Sequence, residues 1–220
     1  MSARRIGFLG LGTMGRPMAQ RLVDAGAQVR VFDIAADAVR FFTAKGVIAA
    51  ATGELTILMG GKREVCTAAE PVLRHFGTEL HYCGALGSGQ VVKLVNNLVS
   101  CANAAVLAEA CGLAHKSGVD LGVLTKIMAG TAADSHQLRH MLIGKALKGD
   151  FDPAFKLRLA HKDMRFVLQM AQELDATSAC TGAAVDWYER AAAAGHGELD
   201  RAALMLLVDP RLKTPRESAV

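Results

Sequence analysis

The stretch IGFLGLGTMGRPMA, residues Ile6–Ala19, decides the fold. It begins with strand-like apolar residues and passes through Gly10, Gly12 and Gly15 into an amphipathic run. Glycines in G-x-G-x-x-G spacing between a strand and a helix have a mechanical meaning. Gly10 permits the tight turn, Gly12 lets a pyrophosphate come close to the backbone, and Gly15 allows the helix to pack against the strand. The helix N-terminus then offers unpaired N–H groups and its positive dipole end to phosphate. Leu11, Thr13 and Met14 complete this candidate dinucleotide-binding loop. A glycine-rich turn without a ligand is the alternative, and its position between strand and helix argues against it.

The pattern continues outward from the turn. "AQVRVFDI" reads as a second strand ending at Asp33, eighteen residues after Gly15. A carboxylate there either accepts hydrogen bonds from the adenosine ribose and repels a 2′-phosphate, favouring NAD over NADP, or caps the helix beginning at "IAAD". "AADAVRFFTAKG" reads as a helix and "VIAAA" as a strand. "ELTILMGG", "REVCTAAEPVLRHFG" and "ELHYCG" read as strand, helix and strand. Repeated β-α-β order predicts a mostly parallel sheet covered by helices. From about Gly87 onward strand signals vanish, and glycine-rich breaks divide a run of helices. The expected architecture is α/β: an incomplete, doubly wound parallel sheet of Rossmann type in residues 1–86, then an all-helical domain in residues 87–220.

Composition narrows the function. A net charge of +4 spread over 220 residues, with no Lys/Arg run, argues against a nucleic-acid partner. No stretch is expected to reach the roughly 20 apolar residues that span a bilayer, and the N-terminus reads as a first strand rather than a signal peptide. Five cysteines without C-x-x-C spacing predict reduced, mostly buried thiols in a cytoplasmic protein. His136 and His140, four apart, could share a metal. No third ligand is evident, so solvated histidines are expected and no metal site is assigned.

"GSGQVVKLVNNLVSCANAAVLAEACGLAHKSG" predicts one long helix over Ser88–Lys116, apolar nearly all round and therefore buried. Lys93, Asn96, Asn97, Ser100 and Asn103 recur along one side of it. Such a stripe either faces solvent or lines a cleft holding a polar ligand. Asparagine is a poor helix former and buried amides need partners, so the cleft is favoured. Lys93 and Asn97, four apart, form a chemically complete pair for alcohol–carbonyl interconversion. The lysine gives or takes the proton, and the amide orients the hydroxyl or holds the lysine.

With these residues in view, the chain resembles the β-hydroxyacid dehydrogenases, the family of 3-hydroxyisobutyrate dehydrogenase and tartronate semialdehyde reductase. "IGFLGLGTMGRPMA" resembles its dinucleotide motif, "GSGQVVKLVNN" its catalytic motif, and "AHKDM" its late Lys-Asp motif. The resemblance implies a catalytic lysine at Lys93, a supporting asparagine at Asn97 and a cofactor-contacting lysine at Lys162. It implies an NAD-dependent oxidoreductase, with NADP the less favoured cofactor, acting on a small hydroxyacid as a homo-oligomer, in the first instance a dimer. It also explains an oddity at "GVIAAATGELTILMGG" (Gly46–Gly61), where two β-like runs meet with almost nothing between them. The family's further strand-helix units, including a Leu-Pro turn near the nicotinamide and a carboxylate-binding Asp-Ala-Pro-Val-Ser-Gly-Gly segment, do not occur here. Roughly sixty residues are absent, at 30 or more per βαβ unit. The second reading is a non-catalytic or impaired relative that binds nucleotide weakly or serves as a helical dimerisation module.

Overall fold

The computed structural model describes residues 5–12, 14–32 and 54–213. The expected helix "AADAVRFFTAKG", the expected strand "VIAAA", Thr13 and Asp33 lie outside them. The chain divides into two compact units, Met1–Lys93 and Leu94–Val220.

In the first unit, β1 (Arg5–Leu9) leads through the glycine turn into α1 (Gly15–Asp24) and returns as β2 (Gln28–Phe32). Pro17 sits in the first turn of α1, where its missing N–H costs no hydrogen bond, and it is buried with Ala19 and Leu22. Gly26 ends the helix with φ +80°, a left-handed conformation that a glycine adopts without strain. β1 and β2 pair in parallel, Ile6 opposite Val29 and Phe8 opposite Val31. A second β-α-β segment of the same kind follows within this unit: β3 (Thr56–Gly60), α2 (Arg63–Leu73) and β4 (Glu79–Gly84), with β3 and β4 again parallel.

The mostly parallel, incomplete sheet expected from the sequence is present in the described strands as two parallel pairs that share no backbone ladder. Side chains connect them instead. The Phe8 and Phe76 rings meet edge to face at 6.5 Å, and Arg21 Nε donates to the His75 carbonyl. The parallel pairs nevertheless carry the Rossmann-type logic of strand, crossover helix and parallel strand.

The second unit is helical. Its spine is the part of α3 (Ser88–Lys116) from Leu94 onward, followed by α4 (Leu121–Met128), a π-helical turn at Gln137–Ile143, α5 (Leu157–Glu173) and α6 (Ala179–Ala191). Cys101, Ala104, Ala108 and Cys111 of α3 enter one core with Leu157, Met164, Tyr188 and Leu204. Small residues on α3 let neighbouring elements approach closely, and the buried Tyr188 hydroxyl donates to the Cys101 carbonyl at 3.4 Å. Asp200 closes the unit. Its Oδ2 accepts from Ala154 N and Phe155 N at 2.9 and 3.0 Å, and Oδ1 from Ala202 N at 3.0 Å. That clamp starts the buried 3-10 helix Arg201–Leu207 at a fixed place.

Two expectations about α3 need correction. The helix spans Ser88–Lys116, but Val91, Val92, Val95, Val99, Val106 and Leu113 are exposed, so it is not enclosed on all sides. Apolar composition sets what a helix can bury, not what is present to cover it. By length and composition the same helix could also cross a membrane, contrary to the expectation that no stretch comes near this. Interior helices of compact proteins meet that criterion too, and 33% of the apolar window of this one is buried, with Cys101, Ala104, Ala108 and Cys111 in the helical core.

Candidate active site

The glycine turn has a defined shape. Gly10 takes φ +90°, so the chain can reverse from β1 into α1. A Cβ added to Gly15 would lie 1.8 Å from the Gly10 carbonyl oxygen, which requires glycine where the helix meets the turn. At Gly12 an added Cβ meets nothing within 4 Å, leaving open space at the backbone. Leu11 is fully buried, and Arg16 Nε donates to its carbonyl at 2.8 Å. Met14 is exposed and caps nothing, and the first turn of α1 contains no acidic side chain. Backbone amides and open space at Gly12 therefore fit a pyrophosphate.

Along α3, the polar stripe is only partly enclosed. Lys93, Asn96 and Asn103 are exposed, and Asn97 and Ser100 half-buried. Asn97 Nδ2 donates to Asp163 Oδ2 at 2.9 Å, and Asp163 is only 4% exposed. Lys162, beside it on α5, is exposed, with Nζ 3.7 Å from Asp163 Oδ1 and 5.8 Å from the Phe166 ring centre. The structure thus joins Asn97 to the late Lys-Asp motif through Asp163, a residue that the sequence reading passed over. A signal was available: Asp163 shares the core-facing side of α5 with Leu157, Ala160, Met164 and Val167. A carboxylate on an apolar face needs a partner.

Two further residues were missed. Ser100 Oγ accepts from Gln137 Nε2 at 2.9 Å and from an Arg201 guanidinium nitrogen at 2.7 Å. These side chains line a pocket of about 370 Å³ with Asn96, Val99, Asn103 and His136. Gln137 is 5% exposed, and its Oε1 has no partner among the described residues. The His136 and His140 rings stack with centres 4.2 Å apart. Desolvation, and then the charges of His140 and Arg201, hold the His136 imidazolium below its ordinary range.

A parallel β-α-β start with a glycine turn open at Gly12, followed by a helical domain carrying a polar stripe, fits an NAD(P)-dependent oxidoreductase. Residues 87–208, over half the chain, match the family model for the NAD-binding domain of NADP-dependent 3-hydroxyisobutyrate dehydrogenase. Residues 5–52 match that for the NAD-binding domain of 6-phosphogluconate dehydrogenase. The 3-sulfolactaldehyde reductase of Escherichia coli is 30% identical over 280 aligned positions, covering 91% of this chain and 94% of that protein. The 2-(hydroxymethyl)glutarate dehydrogenase of Eubacterium barkeri is 31% identical over 160 residues, 73% of this chain and 53% of its own. Among solved structures, 3-hydroxyisobutyrate dehydrogenase of Mycobacterium tuberculosis shares the fold with a TM-score of 0.83 at 24% identity, covering 94% of this chain and 99% of that one. The chain belongs to the 3-hydroxyisobutyrate dehydrogenase family, the β-hydroxyacid dehydrogenases.

The alignment to the Escherichia coli reductase is longer than this chain. It runs through 280 positions, whereas this chain has 220 residues, so at least 60 positions of the relative have no counterpart here.

Proposed function

We propose that this chain interconverts a small β-hydroxyacid of the 3-hydroxyisobutyrate type and its semialdehyde, using NAD in preference to NADP. The observation that carries the reading is Asn97, fixed by Asp163 one helical turn beyond Lys93. With Nδ2 committed to Asp163, the planar amide turns its oxygen the opposite way, as an acceptor for a substrate hydroxyl. Lys93 is assigned the proton: a neutral amine takes it from the alcohol, and an ammonium returns it to the carbonyl oxygen. When bound, the nicotinamide accepts or supplies the hydride.

The remaining chain holds the cofactor and arranges the protomers. Gly10, Leu11, Gly12, Thr13, Met14 and Gly15 cradle the pyrophosphate through backbone amides, Asp33 meets the adenosine ribose, and Lys162 contributes a cofactor contact. Residues 1–86 form the dinucleotide-binding part. Residues 87–220 form the substrate part and the homodimer interface of a cytoplasmic protein.

The test is Lys93→Ala. It should bind NADH as the unaltered chain does, followed by cofactor fluorescence, and lose 3-hydroxyisobutyrate oxidation by about a hundredfold or more. Unchanged oxidation rejects the assignment. Asp33→Ser should raise use of NADP relative to NAD, and an unaltered ratio removes Asp33 from the ribose site.

A second reading, an impaired relative acting as a helical dimerisation protein, draws on the exposed apolar side of α3 and the missing positions. A stable dimer by light scattering, with no NADH binding at millimolar cofactor, favours it over the first.

A further inference from the structure

We propose that Arg201 is the specificity-determining residue of this chain, gripping the anionic end of the substrate in the pocket it shares with Ser100, His136 and Gln137. The inference rests on the dehydrogenase reading for what the anion is attached to, and on geometry for where it binds.

Arg201 begins the 3-10 helix that Asp200 clamps, so its backbone is held by three hydrogen bonds around that carboxylate. Its guanidinium carbon lies 5.7 Å from the Phe155 ring centre, and one nitrogen donates to Ser100 Oγ. No ion pair among the described residues includes Arg201. The nearest carboxylate in sequence, Asp200, already accepts three backbone N–H groups. A guanidinium has five N–H donors, more than its contacts to Ser100 and Cys101 engage. Leaving a half-buried cation without a counter-charge costs stability, so an anionic ligand is the natural complement.

The neighbours suit the same ligand. Ser100 Oγ accepts two hydrogen bonds, which turns its own hydrogen toward a third group. Asn96 and Asn103 line the pocket on the same helix and add amide donors. Asn97, assigned above to the hydroxyl, precedes Ser100 by three residues, about 4.5 Å along the helix axis. That rise matches a short β-hydroxyacid whose hydroxyl lies at Asn97 and whose anionic end reaches Ser100 and Arg201. A carboxylate and a sulfonate share the required chemistry, a compact oxyanion that a guanidinium can meet with two parallel N–H bonds.

Isothermal titration of the full chain without cofactor tests this, using 3-hydroxypropanoate, 3-hydroxypropane-1-sulfonate and neutral 1,3-propanediol. At least one anion should bind and the diol should not; the stronger anion identifies the preferred oxyanion. Arg201→Met keeps an apolar stem over Phe155 and should weaken anion binding by about tenfold or more, while Arg201→Lys recovers part of it. Anion binding by Arg201→Met equal to that of the unaltered chain overturns the proposal, as does equal binding of diol and anions or no anion binding at all. If circular dichroism finds Arg201→Met unfolded, Ser100→Ala, which removes the oxygen holding the guanidinium, is read by the same criteria. NADH titration runs separately. A chain that binds the anions but no NADH keeps Arg201 and loses the dehydrogenase reading, and the converse loses Arg201 alone.

Discussion

Asn97 and Asp163 meet through one hydrogen bond of 2.9 Å, joining the middle of α3 to the buried face of α5. The two residues are 66 positions apart in the chain. The bond gives a side chain on the polar stripe a fixed orientation, as the role proposed for that amide requires.

Removing that donor should be felt in stability as well as activity. Asn97→Ala withdraws a hydrogen bond from a buried carboxylate and should destabilise the chain by about 1–3 kcal/mol, measured by urea unfolding. Asn97→Asp places two carboxyl groups together. Its deficit should be largest at neutral pH and shrink on acidification, as one of the pair takes up a proton.

The glycines of the turn should separate cleanly by experiment. Gly15→Ala forces a Cβ to 1.8 Å from a backbone oxygen and should lower the melting temperature of the first unit. Gly12→Ala meets nothing within 4 Å and should leave stability within about 0.5 kcal/mol, yet weaken NADH binding by intruding where phosphate approaches. Equal effects of the two substitutions on NADH affinity and on melting would contradict this division.

Burial sets the reactivity of the thiols. Cys180 is exposed, whereas Cys101 and Cys111 are fully buried. Desolvation raises the Cys111 thiol from an ordinary 9.0 to about 11. Unfolded Cys111 therefore ionises first as pH rises. Its contribution to stability is fully present below pH 9.0 and is lost as pH climbs toward 11. At pH 8, iodoacetamide should label Cys180 in the native chain and reach Cys101 and Cys111 only after denaturation, read by mass spectrometry of peptides.

The Asp200 clamp should be the most sensitive polar site in the helical unit. Asp200→Ala leaves the N–H groups of Ala154, Phe155 and Ala202 without their acceptor and should cost about 3 kcal/mol. Asp200→Asn keeps one oxygen acceptor and should cost less. Because Arg201 follows directly, both changes should also weaken binding of 3-hydroxypropanoate.

The sequence by itself determined what neighbouring residues decide. G-x-G-x-x-G after an apolar run specified the β1–turn–α1 junction, because φ > 0 and close packing there are met only by glycine. The span Ser88–Lys116 was legible as one helix from its uninterrupted apolar periodicity, while spacing and a family motif made Lys93 and Asn97 the candidates proposed for the chemistry. Tertiary structure alone decided that Asp163 holds Asn97 and that Arg201 reaches Ser100 from 101 positions away. It also decided that one side of α3 is exposed and that the described strands lie in two pairs. Helical period and turn chemistry are encoded within a few residues. Which buried polar group meets which, and whether an apolar face is covered, depends on folding that brings distant segments together.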